Sequence, residues 1–285
     1  MTLRRDRRDR LPCHPRAVLE CVVNISEGRD GAVIAEVAAA AGAHLLDVHS
    51  DPHHHRSVLT LVGEEAARAV ADVAVARLDL RDHDGVHPRL GVVDVVPFVA
   101  LDGATPEDAL AARDRFARWL AARHAVPCFC YGPERTLPEV RRRAFRDLAP
   151  DVGPAQPHPR AGATAVGQRD VLVAYNVWVA GVNATSVRAL ADAVRTREIR
   201  TLGLRVGERW QVSMNLVAPA VAGPAVAFDR VVAAAEELGA TVEGAELVGL
   251  LPEAVLRAVP ARRWAELDLG AERTIEARLA AAGLR

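Results

Sequence analysis

The strongest constraint on the fold is a pattern of strands and helices that occurs twice along the chain. The first copy has a strand, a helix, two strands, a helix and a strand, at 18–25, 31–41, 44–50, 56–63, 64–80 and 91–101. The second copy repeats this order at 170–181, 183–197, 199–207, 209–219, 223–238 and 240–249. The order is typical of a ferredoxin-like sheet. We therefore predict an α/β (α+β) protein of two tandem ferredoxin-like βαββαβ subdomains, with helices on one face of each mainly antiparallel sheet.

Further elements are predicted between the two copies. A helix over about 105–124 begins with a capping threonine and a first-turn proline. A strand at 126–132 and a helix at 138–148 follow it. Residues 149–168 are rich in proline, glycine and alanine and show neither helical nor strand periodicity. Such a segment inside a compact chain is usually a functional loop or a linker.

The domain boundaries follow from these elements. We predict a disordered basic tail at 1–17, an N-terminal subdomain at 18–169 and a C-terminal subdomain at 170–285. The last stretch, 259–285, is predicted to end the chain as a helix. Because ligands often bind where two such units meet, we expect a pocket at the junction of the two subdomains.

The charged residues exclude several classes of protein. The 285 residues carry a net charge of −1, so no positive excess attracts nucleic acid. All 36 basic residues are arginines, which excludes a Schiff-base lysine, a P-loop lysine and a kinase lysine. No apolar run reaches the roughly 18 residues that a membrane-spanning helix needs. We therefore expect neither a nucleic-acid partner nor a membrane partner.

The N-terminal segment and the cysteines indicate the compartment. Residues 1–17 hold six arginines and two aspartates, and no apolar stretch of the kind found in a signal peptide follows them. Cysteines at 13, 21, 128 and 130 form no C-x-x-C pair. Reduced thiols and a cytoplasmic location are therefore expected.

The segment DHDGVHPRLGVVD, 82–94, is the first candidate for chemistry, because it joins a helix to a strand and is rich in polar residues. His87 precedes a proline, which favours an extended backbone, and a loop histidine can act as a general base near neutral pH. Arg89 can clamp a carboxylate with its planar fork or pair with Asp94. From spacing alone, a surface histidine in a polar turn is the simpler interpretation.

A histidine cluster at 49–55 is the second candidate. Zinc ligands are available in its five histidine and aspartate side chains, His49, Asp51, His53, His54 and His55. The cluster falls in a predicted turn between strands, and neighbours on an extended chain point to opposite sides. A polar turn facing a ligand is therefore favoured over a metal site.

Polar residues at the ends and interiors of strands form the third group. In NISEG, 24–28, the side chains of Asn24, Ser26 and Glu27 precede a helix and can bind a ligand there or simply cap the helix. Asn176 and Asn215 lie within apolar strands, at similar places in the two repeats. A buried amide must find a partner, which is either a core hydrogen bond or a ligand.

Several stretches of the sequence resemble a known family. They include ECVVNISEGRD, LLDVHSDPHHHRSVLTLVG, DGVHPRLGVVDVVPF, VPCFCYG, RTLPEVRR, APDVGP, GATAVGQRDVLVAYNV, WQVSMNLVAP and GAELVGLLPEAVL. In this order, from about residue 19 to 257, they are similar to the formiminotransferase domain family, to which the glutamate formimidoyltransferases belong. The cyclodeaminase domain fused to some members has no counterpart in this sequence.

The resemblance implies a function and a set of site residues. The family moves a formimino group from N-formimino-L-glutamate to N5 of tetrahydrofolate in histidine degradation, with no metal or redox cofactor and as a homodimer. His87 matches the catalytic histidine, which acts as general acid and base. Arg56 and Arg89 match arginines suited to substrate carboxylates, and Asp94 lies in the same motif. The segment from Gly153 through Pro154 to Gly162 matches the folate-binding loop.

Three other functions remain open from the sequence. One is a different folate-dependent one-carbon transfer, of a formyl rather than a formimino group. The second is a metal-dependent hydrolysis that uses the histidines of the 49–55 cluster. The third is a non-catalytic folate-binding relative, which would bind tetrahydrofolate but would not need His87.

Overall fold

The structure is a computed structural model, and it describes residues 17–85 and 88–284. Within these residues ten strands form one sheet of six and one sheet of four, accompanied by eight α-helices. Most of the predicted basic tail lies outside the described residues, and so do Cys13 and His87. No helix in the described part of the chain has the length and apolar character to cross a bilayer.

The first sheet contains six strands: β1 (Leu19–Ile25), β2 (Leu45–Asp51), β3 (Arg56–Val62), β4 (Val93–Ala100), β5 (Cys128–Tyr131) and β6 (Thr164–Gln168). Their order is β2-β3-β1-β4-β6-β5. The first four pair antiparallel, as the ferredoxin-like pattern predicts. The pairs β4–β6 and β5–β6 are parallel and extend the sheet beyond the repeat.

Four helices belong to this half: α1 (Gly31–Ala39), α2 (Glu64–Arg77), α3 (Pro106–His124) and α4 (Leu137–Arg143). The main core lies between the sheet and the first three of them. Helix α4 packs differently, because its Val140 joins Val95, Phe129 and Ala165 in a separate cluster on the opposite face. The prediction of helices on one face therefore holds for the repeat, and α4 is an addition to it.

The second sheet contains β7 (Val173–Ala180), β8 (Ile199–Val206), β9 (Arg209–Leu216) and β10 (Thr241–Val248). It is antiparallel throughout, in the order β10-β7-β9-β8. Its core packs against two helices, α5 (Ala184–Val194) and α6 (Pro224–Glu237). Alternate residues of β7 explain the layering, since Tyr175 and Val177 are buried against the helices while Asn176 points to the other face. The predicted fold class is confirmed.

The helix boundaries follow ordinary capping chemistry. Asp30 accepts hydrogen bonds from the first backbone N–H groups of α1, as predicted. Thr105 and Asp108 form a capping box at the start of α3, and proline occupies the first turn. Helix α6 ends at Glu237, and Gly239 takes the left-handed conformation, with φ of 66°, that favours glycine.

Three predicted boundaries were wrong. Strand β6 lies inside the segment 149–168, which was predicted to have no regular structure. Helix α4 ends at Arg143 instead of continuing to 148, because the chain leaves the helix at Ala144 and Phe145 has a positive φ of 58°. The predicted helix at 259–285 is instead two short 3₁₀ turns followed by α8 (Ile275–Ala281), while α7 (Glu253–Arg257) precedes it.

The cysteines of the described residues are unpaired. Cys21, Cys128 and Cys130 are all buried and form no disulfide. Burial raises the pKa of the Cys130 thiol to about 11. Cys128 and Cys130 are two positions apart on β5, which agrees with the interpretation of that pair as small core side chains.

Candidate active site

The candidate site lies at one edge of the first sheet. In the antiparallel register the end of β1 meets the starts of β3 and β4, with Asn24 opposite Val58 on one side and Val95 on the other. The loop 83–91, which we call the His87 loop, leads into β4 at the same edge. Residues that are far apart in the sequence therefore converge there.

Asp94 is the centre of a buried ionic network at this edge. Its side chain has no exposed surface and accepts hydrogen bonds from Arg56 Nη1 at 2.5 Å and Arg141 Nη2 at 2.6 Å. The backbone N–H of Leu90 donates to its other oxygen at 2.7 Å. Burial opposes ionisation, but the two arginines outweigh it and lower the pKa of Asp94 to about 2. Asp94 is therefore a carboxylate at neutral pH.

The same network fixes Asn24 and the His87 loop. The guanidinium of Arg56 also donates to Asn24 Oδ1, at 3.1 Å from Nε and 2.7 Å from Nη2. Arg141 Nη1 donates at 2.8 Å to the carbonyl of Pro88, the residue after His87. Strand ends, helix α4 and the loop are thus tied to one carboxylate.

Arg89 bonds backbone carbonyl groups of the His87 loop. It donates from Nη1 to the carbonyl of Gly85 at 2.7 Å and from Nη2 to the carbonyl of His83 at 2.8 Å. Its guanidinium therefore fastens the first half of the His87 loop to the second half. Val86 and His87 themselves lie outside the described residues, so the predicted catalytic histidine stays a prediction.

Ser26 and Glu27 stabilise the turn after β1. The Ser26 hydroxyl donates to the carbonyl of Gly91 at 2.8 Å, which ties this turn to the His87 loop. Glu27 Oε1 accepts the backbone N–H groups of Arg29 and Asp30 at 2.7 and 3.0 Å. Burial would raise the pKa of Glu27, but these hydrogen bonds and His55 lower it. Both residues thus have structural partners within the turn and the His87 loop.

The end of the proline- and glycine-rich segment lies directly against the His87 loop. We call residues 149–163 the connector. Gly162 forms a bridge with Gly91, and a side chain on Gly162 would place its Cβ 2.3 Å from the carbonyl oxygen of Leu90. Ala163 N donates to that same carbonyl at 2.9 Å. Only glycine allows this approach, because Gly162 also has a φ of 70°.

The other end of the connector lies further along the same edge. Val152 bridges Cys128 at the start of β5, and Gly153 and Pro154 are exposed just beyond it. Gly153 has a positive φ of 94°. The predicted folate loop therefore runs along the sheet edge from β5 to the His87 loop.

The two sheets meet through a polar cluster that sequence analysis did not identify. His49 Nε2 of β2 lies 3.5 Å from Glu246 Oε1 of β10. The other oxygen, Oε2, accepts from Asn176 Nδ2 at 3.1 Å and Gln211 Nε2 at 3.2 Å. Asn176 therefore has a side-chain partner within the second sheet.

The sequence suggested that the two candidate asparagines occupy similar places in the two repeats, and this prediction was wrong. Both belong to the second sheet, where Asn176 of β7 pairs with Ser213 and Asn215 of β9 pairs with Ala174. Asn215 is exposed.

The histidines of the 49–55 cluster diverge to separate partners. Asp51 accepts the backbone N–H of His53 at 2.8 Å and the ring Nδ1 of His54 at 2.6 Å. His55 turns the other way and bonds Glu27 at 3.1 Å. In the described residues no group of three or more histidine, cysteine, aspartate or glutamate side chains is arranged to hold a metal ion.

Arg141 is the main site residue that sequence analysis missed. It lies on α4, 47 positions from Asp94 along the chain. A capping box of Thr136 and Glu139, with proline in the first turn, fixes the start of this helix. That signal predicts the helix, but nothing local indicates that the helix crosses to the sheet edge.

Comparisons with known proteins agree with this geometry. Residues 18–169 match the family model described as the formiminotransferase domain, N-terminal subdomain, and residues 168–271 match that of the formiminotransferase domain. The glutamate formimidoyltransferase of Streptococcus pyogenes is 34% identical over 270 residues, which cover 84% of this chain and 90% of that protein. Its counterpart in Thermoplasma acidophilum is 30% identical, with the same two shares.

A longer relative matches over part of its length. The formimidoyltransferase-cyclodeaminase of Sus scrofa is 32% identical across 82% of this chain and 50% of its own length. The two family models together span 18–271, most of the sequence. The chain therefore belongs to the formiminotransferase domain family.

Proposed function

We propose that this protein is a glutamate formimidoyltransferase, which moves the formimino group of N-formimino-L-glutamate to N5 of tetrahydrofolate in histidine degradation. The observation that carries the proposal is the match to the Streptococcus pyogenes glutamate formimidoyltransferase, which covers 90% of that enzyme. The edge of the first sheet supports it, because the predicted folate loop and the two halves of the His87 loop meet there.

The reaction needs one group that can move protons. N5 of tetrahydrofolate attacks the amidine carbon, a tetrahedral intermediate forms, and the C–N bond to glutamate breaks. N5 loses a proton and the departing amine gains one, so that one imidazole can act as base and then as acid, which contributes about 10²–10⁴-fold. We assign this role to His87. The exchange of one amine for another involves no net oxidation, so the proposal includes no redox cofactor, and on the ground of the family resemblance it includes no metal.

The other candidate residues are proposed to bind and orient the substrates. Arg56 and Arg89 supply planar guanidinium groups for substrate carboxylates, and Asp94 keeps Arg56 in place through its 2.5 Å contact. Gly153, Pro154 and Gly162 are proposed to contact tetrahydrofolate along the connector. Holding two substrates together accounts for much of the remaining acceleration.

The polar residues around these groups complete the proposed site. Arg56 donates hydrogen bonds to both Asn24 and Asp94. Ser26 and Glu27 stabilise the turn after β1, beside the His87 loop. Asn176 and Asn215 are proposed to reach the substrates from the second sheet.

The assembly and location of the protein are part of the same proposal. We propose subdomains at 18–169 and 170–285, which is supported by the two family models meeting at 168–169. We propose a homodimer on the ground of the family resemblance. We also propose a cytoplasmic location, which is supported by the unpaired state of the three cysteines among the described residues.

Substitution of the histidine tests the function. His87→Ala should retain the native unfolding curve and tetrahydrofolate binding, and should lose about 10²–10⁴-fold in transfer rate. His44→Ala is the matched control, since His44 lies in a 3₁₀ turn before β2. Native turnover in the His87 variant would remove that residue from the mechanism. Faster transfer from N-formylglutamate than from the formimino donor would replace the proposed activity with formyl transfer.

A further inference from the structure

The His87 loop contains a second histidine whose protonation state can be deduced from its partners. His83 Nε2 lies 2.7 Å from the backbone carbonyl oxygen of His55, so this nitrogen must carry a hydrogen and donate it. The backbone N–H of Gly85 donates to His83 Nδ1 at 3.2 Å, so that nitrogen must be bare. Only the neutral imidazole with hydrogen on Nε2 satisfies both bonds.

The bond between Gly85 and His83 lies in a tightly packed cradle. The His83 ring stacks on the ring of His55, with centroids 4.2 Å apart and planes inclined by 21°. A side chain on Gly85 would place its Cβ 2.5 Å from the Cβ of His55 and 2.6 Å from the carbonyl oxygen of His54. Gly85 is therefore held by contact and by hydrogen bond, two residues before His87.

Protonation of His83 would break this arrangement. A proton on Nδ1 of His83 would point at the N–H of Gly85. Nδ1 would then be a donor instead of an acceptor, and the hydrogen bond from Gly85 would be lost. The surrounding charges oppose that proton. Burial lowers the pKa of His83, and the cation of Arg89, which bonds the His83 carbonyl, acts in the same direction. The stacked ring of His55 also opposes a second positive charge.

The acidic groups nearby are directed at other partners. Glu27 forms a hydrogen bond with Nε2 of His55, and Asp84 accepts one from Arg29 at 2.6 Å. Asp84 lies 3.7 Å from Nδ1 of His55. In the described part of the chain neither carboxylate forms a hydrogen bond or an ion pair with the ring of His83, so neither stabilises its protonated form directly.

We propose that His83 is a positioning residue, which holds the His87 loop in its working conformation only while its imidazole is neutral. The inference rests on the proposed function, because the loop matters to activity through His87. If His83 acts in this way, the fall of kcat/KM at acid pH results from the uptake of two protons. One proton is taken up by the general base, and the other is taken up by His83 and releases Gly85.

The first test measures the loop itself by NMR on the native protein. The ring signals of His83 are titrated from pH 8 to pH 5, and hydrogen exchange of the Gly85 amide is followed over the same range. After correction for intrinsic rates, exchange should rise about 2- to 10-fold, as expected for the loss of one hydrogen bond. Its midpoint should coincide with that of His83. Exchange that does not follow His83 would overturn the proposal.

The second test compares pH profiles of kcat/KM. In acid, the plot of log kcat/KM against pH should approach a limiting slope of two for the native enzyme and of one for His83→Asn. The reason is that the asparagine oxygen accepts the Gly85 N–H and cannot titrate. His44→Asn should keep the native slope. An unchanged slope in His83→Asn would refute the role. If the native protein transfers no formimino group, the proposed function fails, and the Gly85 measurement still decides whether His83 controls the loop.

Discussion

The buried carboxylate of Asp94 allows a quantitative prediction of stability. Asp94→Asn removes the charge but keeps an oxygen to accept the N–H of Leu90, so the substitution isolates the pairing with Arg56 and Arg141. Although burial opposes ionisation, the two arginines lower the pKa of Asp94 from its ordinary value of 3.8 to about 2 in the fold. Each pKa unit corresponds to about 1.4 kcal/mol, so the ionic network contributes roughly 2 kcal/mol at neutral pH.

The pH dependence of this contribution has a definite sign. The pKa of Asp94 is depressed in the fold, so the contribution is fully present above the unfolded pKa near 4 and is lost as pH falls through about 2. About half of it should remain near pH 3. Asp94→Asn should lower the free energy of unfolding by at least this contribution at neutral pH, because it also removes the charge that Arg56 and Arg141 face.

Urea unfolding of native protein and Asp94→Asn from pH 7 to pH 3 measures this difference. Asp147→Asn is the control, because its carboxylate is 66% exposed and pairs with Arg143 within one turn. The control should change the free energy of unfolding by less than about 1 kcal/mol. A loss below about 0.5 kcal/mol for Asp94→Asn at pH 7, or a difference that does not shrink in acid, would refute the argument.

Three further predictions concern the loop and a helix cap. Arg141→Gln should lower the free energy of unfolding by about 1–3 kcal/mol and reduce formimino transfer, because Asp94 and the Pro88 carbonyl both lose a donor; urea unfolding and initial rates measure the two effects. Gly85→Ala should strongly reduce the transfer rate and only slightly lower the melting temperature, because the added Cβ displaces the loop; a transfer rate equal to that of the native protein would contradict the close packing around Gly85. Thr105→Ala should lower the free energy of unfolding by about 1 kcal/mol without altering transfer, which urea titration and the same assay would check.

Local signals in the sequence were sufficient for the repeat. Asp30 marks the start of α1 through its own side chain, and runs of β-branched residues indicate strands. Those interactions lie within a few residues of each other. The two ferredoxin-like orders could therefore be predicted without knowledge of distant contacts.

Strand β6 shows where local reasoning ends. Its five residues, TAVGQ, combine two β-branched residues that favour strands with an alanine and a glycine that do not, so their combined preference for a strand is weak. They form a strand because β4 and β5 supply partners on both sides. The ring of Tyr131 occupies the space that a side chain at Gly167 would need. Composition alone indicates a loop here, and tertiary pairing overrides it.

The site divides in the same way. The HPRLG motif indicated the loop, and the resemblance selected its histidine, whereas Arg141 and Glu246 were missed. Each of these two acts on residues that only the fold brings close, Asp94 in one case and His49 in the other. Neither has a spacing that could reveal its partner.

The position of β6 has a consequence for synthesis on the ribosome. Strand β5 has β6 as its only neighbour in the described sheet, and β6 is the last of the six strands to be translated. The Gly91–Gly162 bridge likewise joins an early residue to a late one. A nascent chain that has emerged only to the end of α4 would expose an unpaired flank of β4. The anchoring of the His87 loop is thus completed only after residue 168 leaves the exit tunnel. A translational pause before that point would therefore prolong exposure of the unpaired edge of β4, which can pair with another chain and aggregate.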